Sequence, residues 1–202
     1  LQDLSPLPWD ALARALQGEL LFPDAPEFES STRPWNLRFL GLRPMALARC
    51  VSVADVRACL LWAQQNQVPL VARSGGHSYA AYSLTSGLMI DISGMRNLEL
   101  DPVTGLARVA GGARNATLYA ALRGPSRAVT HGRCREVGVG GLVLGGGIGF
   151  NMRARGLTCD QLVETDIVKT RTATCSGPAE APVGATSEFT PPSRSRPFRS
   201  AT

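Results

Sequence analysis

The stretch HGRCREVGVGGLVLGGGIGF, residues 131–150, decides how this chain is read. Gly138, Gly140, Gly141, Gly145, Gly146, Gly147 and Gly149 put seven glycines into twelve positions, with Cys134 just upstream. Glycine loses more backbone freedom on folding than any other residue and weakens helix and strand interiors. So many of them in an otherwise apolar run imply that something approaches this backbone too closely to admit side chains.

A second stretch, VPLVARSGGHSYAAYS at 68–83, reads as a strand running into a loop, with Gly75-Gly76 ahead of His77. Backbone N–H groups converge on anions in such loops, and Arg73 with the hydroxyls of Ser74 and Ser78 adds donors. Taken together, the two loops suit a diphosphate held from two sides. Competing motifs fail on spacing. Position 143 is Val and position 150 is Phe, so the glycine run contains no GxGxxG. The only lysine is Lys169, which excludes GxxxxGK[ST], and no GxSxG is present. His77 and His131 are the only histidines, too few for a metal site, so no metal is expected.

Length and composition set the frame. The 202 residues, 44% hydrophobic and 18% charged, fit a soluble globular chain of one domain or slightly more. No apolar run reaches the eighteen residues a membrane span needs. The net charge of +5 is not a nucleic-acid signature. Lys169, Arg171, Arg194, Arg196 and Arg199 against Glu180 and Glu188 place +3 of it in residues 169–202, which leaves +2 for 1–168. Five cysteines, odd in number and without CxxC pairing, argue for a reducing compartment. The expectation is a cytoplasmic protein, with an earlier-removed signal peptide left open.

Along the chain, Trp9–Gln17 reads as a short helix, and residues 18–40 as an irregular crossing segment. Ser52 and Asp55 form a capping-box start for a helix whose inner face is Val53, Val56, Leu60 and Ala63. Strands are expected at Val68–Ala72, Leu88–Ile92, Leu98–Leu100, Leu106–Val109 and Leu162–Val168, and a helix at Asn115–Arg123. The class is α+β. After Val168 the composition changes: the 34 residues from Lys169 hold sixteen Pro, Ser or Thr and neither Leu nor Ile, so 169–202 reads as a disordered tail.

RSGGHSYAAYS, then GxCxxVGVGGxxLGGGIGF, then GLTCDQL at 156–162, in this order, resemble FAD-linked oxidoreductases of the vanillyl-alcohol-oxidase (PCMH) family, berberine-bridge-enzyme-like branch. The resemblance implies a PCMH-type FAD-binding domain over 40–168, made of two small α+β subdomains and preceded by residues 1–39. It also implies FAD bound through Arg73, Ser74, Gly75, Gly76, His77, Ser78, Cys134, Val137, Gly138, Gly140, Gly141, Gly145, Gly146, Gly147 and Gly149. In that branch His77 would bond the flavin 8α carbon and Cys134 its C6, with Arg133 and Arg135 favouring the thiolate. The implied chemistry is hydride transfer from an alcohol, sugar or alkaloid-like C–H to flavin N5, with oxygen as acceptor and no nucleic acid or membrane partner.

Departures accompany the matches. His131-Gly132-Arg133 stands where relatives carry a Pro-Gly-Gly-type approach to the cysteine. The rest of the FAD domain and the substrate domain have no counterpart, so the expectation is a truncated chain without an assignable catalytic base. One codon set for Thr174–Ser187, read from its third base, gives LFWACRGAGGGNF. That is close to the LFWAxRGGGGGNFG segment the family carries further along, so the tail reads as out-of-frame translation. Two alternatives stay open: a flavin-binding fragment without turnover, and a phosphate- or nucleotide-binding module unrelated to flavin.

Overall fold

The computed structural model describes residues 7–125, 127–169 and 183–189. Two four-stranded sheets organise it, one for each expected subdomain. The first contains β1 (Glu19–Leu21), β2 (Ala46–Arg49), β3 (Leu70–Arg73) and β4 (Leu88–Asp91) in the order β1-β2-β4-β3. Its β2, β4 and β3 run parallel, while β1 lies antiparallel on the edge.

Parallel strands are joined by crossovers that bury both sheet faces, and the alternation here shows it. Ala46, Ala48, Leu88 and Ile90 point to one face, packed on α1 (Trp9–Ala15) and α3 (Val53–Gln65). Leu47 and Met89 point to the other, beneath Phe28 of α2 (Phe28–Thr32) and Leu84. Trp9 and Trp62 hold α1 on α3 with ring centroids 4.3 Å apart, and Trp62 Nε1 donates to Pro8 O.

The start of α3 is built around Asp55. Its carboxylate accepts from the backbone N–H groups of Gln17, Val51 and Ser52, and its own N–H donates to Ser52 Oγ, closing the capping box. Burial alone would raise its pKa, but these hydrogen bonds outweigh burial and hold it below the ordinary carboxylate value. Of the expected inner face, Val56, Leu60 and Ala63 are buried and Val53 is exposed, while Asp55, Cys59 and Trp62 are buried with them.

The second sheet is antiparallel, with β5 (Leu98–Leu100), β6 (Ala107–Ala110), β7 (Leu162–Val168) and β8 (Val183–Phe189) in the order β5-β6-β8-β7. α4 (Asn115–Arg123) and α5 (Val139–Leu144) pack on it through Leu118, Leu122, Val139 and Val143, against Ala107 and Val109. A short α6 (Met152–Arg155) precedes β7.

The tail expected to be unstructured meets a strand. β8 pairs along β6 on one side and β7 on the other. A segment without Leu or Ile can still form ladder hydrogen bonds, and VGATSEF alternates Val, Ala, Ser and Phe with Gly, Thr and Glu in a strand-like period. Residues 170–182 and 190–202 of that expectation lie outside the described residues.

Candidate functional site

Arg49, Arg73 and Asp91 end the three parallel strands in register, Arg49 and Arg73 each opposite Asp91. Open α/β sheets gather ligands at this carboxyl edge. A cavity of about 280 Å³ lies there, with Arg49, Arg73 and Arg114 around the single lining carboxylate Asp91, and with Ser30, Ser31, Ser74 and Ser93 as polar wall.

The three guanidiniums are not equivalent. Arg49 donates to Glu19 and to Ser31 Oγ, and Arg114 pairs with Glu136. Arg73 spends only Nη2, on Arg33 O at 2.8 Å, while its buried Nη1 has no hydrogen-bond partner among the described residues. Burial depresses the Arg73 pKa, partly offset by Asp91. An orphaned N–H of a charged group is costly to bury. Arg73 has donor capacity that no described residue uses.

The loop after β3 folds back over Arg73. Gly76 adopts φ +69°, and a Cβ on it would strike the Arg73 guanidinium, so glycine is required there. Ser74 differs from expectation: its hydroxyl donates to Gly111 O at 2.6 Å and is no free donor for an anion. Ser78 Oγ accepts from Tyr82 N, which leaves its proton available. His77 is half-buried, and its imidazole lies 4.0 Å from the Trp35 ring with planes 25° apart. Burial, then Arg114, lowers the His77 pKa; Glu136 opposes this and Arg73 adds to it.

The cysteine loop is held by the start of α4. Asn115 N donates to Val137 O, Ala116 N to Arg135 O and Asn115 Nδ2 to Cys134 O. Asn115 is fully buried, a role its sequence position does not reveal. Cys134 itself is an exposed free thiol flanked by exposed Arg133 and Arg135.

The seven glycines divide into three groups, which corrects the single cause assigned to them. A Cβ on Gly138 would collide with Ser74 Oγ and Gly75 N, and one on Gly140 would come within 2.8 Å of Gly111 O. Gly147 faces Thr158 and Gly149 faces His131 O. These positions let chain pack on chain. Gly141, by contrast, has nothing within 4 Å of such a Cβ, and Gly145 has only carbonyls at 3.5 Å or beyond. Only this part of the run leaves space open over the backbone. Gly146, at φ +89°, needs glycine for its conformation.

A family model described as "FAD binding domain" matches residues 44–175. The chain belongs to this family. Its relatives place the FAD-binding domain in the berberine-bridge-enzyme-like branch of the vanillyl-alcohol-oxidase fold. A xylooligosaccharide oxidase of Thermothelomyces thermophilus is 37% identical over 146 residues, 70% of this chain and 29% of that one. The BBE-like 1 protein of Physcomitrella patens superposes with a TM-score of 0.82 at 27% identity, over 92% of this chain and 44% of its own. The glucooligosaccharide oxidase of Acremonium strictum superposes with a TM-score of 0.78 at 28% identity, over 91% and 42%, and its flavin is described as 6-S-cysteinyl, 8α-N1-histidyl FAD. The chain thus spans about a third of the length of the curated relatives it matches.

The site fits the cofactor its family binds. Arg73, whose buried Nη1 has no partner among the described residues, lines a cavity with more guanidiniums than carboxylates on its wall, and that wall suits a diphosphate. Among the described residues, no helix is long and apolar enough to cross a membrane. No group of His, Cys, Asp and Glu side chains is gathered for a metal ion among them.

Proposed function

We propose that this chain is the FAD-binding portion of an oxidoreductase that oxidises a C–H of a sugar, alcohol or alkaloid-like substrate, with His77 and Cys134 carrying FAD covalently and dioxygen as acceptor. The observation that carries the reading is Arg73. A buried guanidinium whose Nη1 has no partner among the described residues, under a loop that interlocks with the glycine run at Gly75 and Gly138, is explained by a bound anion. In this reading Arg73 and the amides of Gly75, Gly76 and Gly138 bind the diphosphate, with Ser78 as a further donor. Gly141 and Gly145 admit the cofactor against α5.

His77 is held in its neutral, nucleophilic state by its surroundings. When bound, FAD supplies the hydride acceptor at N5. The substrate itself depends on residues beyond those of this chain's site, since the matched part covers only about a third of the relatives' length.

The test is attachment. After FAD reconstitution and denaturation, the unmutated chain should stay yellow and weigh one FAD more than the flavin-free chain. His77→Ala or Cys134→Ala should each keep one link, and the double variant should release all its FAD. FAD released freely from the unmutated protein would overturn the covalent reading. Anaerobic bleaching of the flavin absorbance by oligosaccharides or amines tests turnover, and a flavin that stays oxidised with all of them would leave binding alone.

A further inference from the structure

We propose that Trp35 is a positioning residue that sets the ring plane of His77 for attachment to the flavin, an inference resting on the reading that His77 carries FAD. The His77 loop cannot fix that plane by itself. Two glycines precede the histidine, Gly76 at positive φ, and rotation about an imidazole's second side-chain torsion is broad. Something outside the loop has to orient the ring.

The crossing segment does so at three points. Arg33 O accepts from Arg73 Nη2 at 2.8 Å, four residues before His77. Asn36 Nδ2 donates to Tyr79 O at 2.9 Å, two residues after it. Between these tethers, the Trp35 indole stacks on the imidazole itself, centroids 4.0 Å apart. Trp35 is 51% exposed, so packing in a core does not account for its place. Among the described residues, the ring it stacks on is the histidine's. A stack of this kind biases a ring's orientation by roughly twofold to tenfold, and it covers one face of the imidazole while leaving the ring edge, where the nitrogens lie, free.

Attachment makes a carbon–nitrogen bond in place of one C–H of the 8α methyl and the imidazole N–H. Dioxygen takes the two hydrogens and leaves as hydrogen peroxide. A reacting nitrogen held in line shortens the search for that geometry. Trp35 therefore acts on the rate at His77 and not on the rate at Cys134.

The experiment follows FAD incorporation into flavin-free full-length chain by peptide mass mapping, with Cys134→Ala as the background for the His77 link and His77→Ala for the Cys134 link. W35A should slow labelling of the His77 peptide by about tenfold, and W35F should recover most of the rate because the stack survives. The Cys134 link and the melting temperature should not move. Equal His77 labelling in W35A and the unmutated chain would overturn the proposal. A parallel loss at both links, with a lower melting temperature, would also overturn it, since Trp35 would then be supporting the loop's fold. No label on His77 in the chain with Trp35 intact would overturn the covalent reading itself, and this inference with it.

Discussion

A histidine surrounded by arginines is an uncommon choice unless its proton is unwanted. Burial and the Arg114 guanidinium disfavour imidazolium at His77, and Arg73 acts in the same direction against the weaker pull of Glu136. The sign has a kinetic consequence. With the folded pKa below the ordinary imidazole value of about 6.5, the neutral ring persists to lower pH than in a free histidine. Labelling of His77 by FAD, followed in the Cys134→Ala variant, should stay level down to mildly acidic pH and fall only below that ordinary value. A midpoint at or above it would contradict the assignment of the surroundings. Arg73, His77 and Cys134 stand out as candidates in the sequence because their motifs are contiguous. Trp35 and Asn115 do not, because each acts on a loop reached through folding: Trp35 stacks on a residue 42 positions on, and Asn115 grips a carbonyl 19 positions on. Asn115 even carries a misleading local pattern, the glycosylation-like Asn115-Ala116-Thr117.

At the scale of elements, α3, α4 and β7 could be read ahead of the structure because each carries its own local signal: a capping box, a helical stripe, and a short segment with β-branched residues near both ends. α5 could not. Its sequence VGGLVL opposes helix by propensity, and tertiary contacts seat it instead: Gly138 against Ser74 and Gly75, and Val139 and Val143 in the second core. The packed and the open glycines make opposite predictions. Gly138→Ala drives a methyl into backbone on a neighbouring loop and should destabilise the flavin-free chain by about 1–3 kcal/mol. Gly141→Ala meets no atom within 4 Å, and as a helix-interior change should stabilise the flavin-free chain by about 0.5–1 kcal/mol. If the cofactor lies against α5, the same Gly141→Ala substitution should weaken FAD binding at least tenfold. Thermal melts of the flavin-free variants and FAD titration decide both. Gly141→Ala binding FAD as tightly as the unmutated chain would return α5 to a packing role only.

Taken whole, the molecule has an uneven surface. Leu144 at the end of α5 and Ile148, Phe150 and Met152 beyond it are all exposed, Ile148 at 65% and Phe150 at 82%. Scattered apolar side chains on a surface are ordinary, but four exposed within one short strip of chain attract a cover. In solution that cover can be a second copy of the same chain. The expected behaviour is self-association that grows with concentration, seen in sedimentation as a mass rising above that of the monomer. The double variant Ile148→Ser, Phe150→Ser should shift the chain toward monomer without lowering its melting temperature, because neither side chain contributes to the described cores. A monodisperse unmutated chain at every concentration would show that the strip has no affinity for itself. Association that persists unchanged in the double variant would instead point to the unpaired edges of β5 and β7, the outer strands of the second sheet. The strip and the strand edges thus differ in what removes them: serine substitution acts on the first, and proline or lysine placed in an edge strand acts on the second.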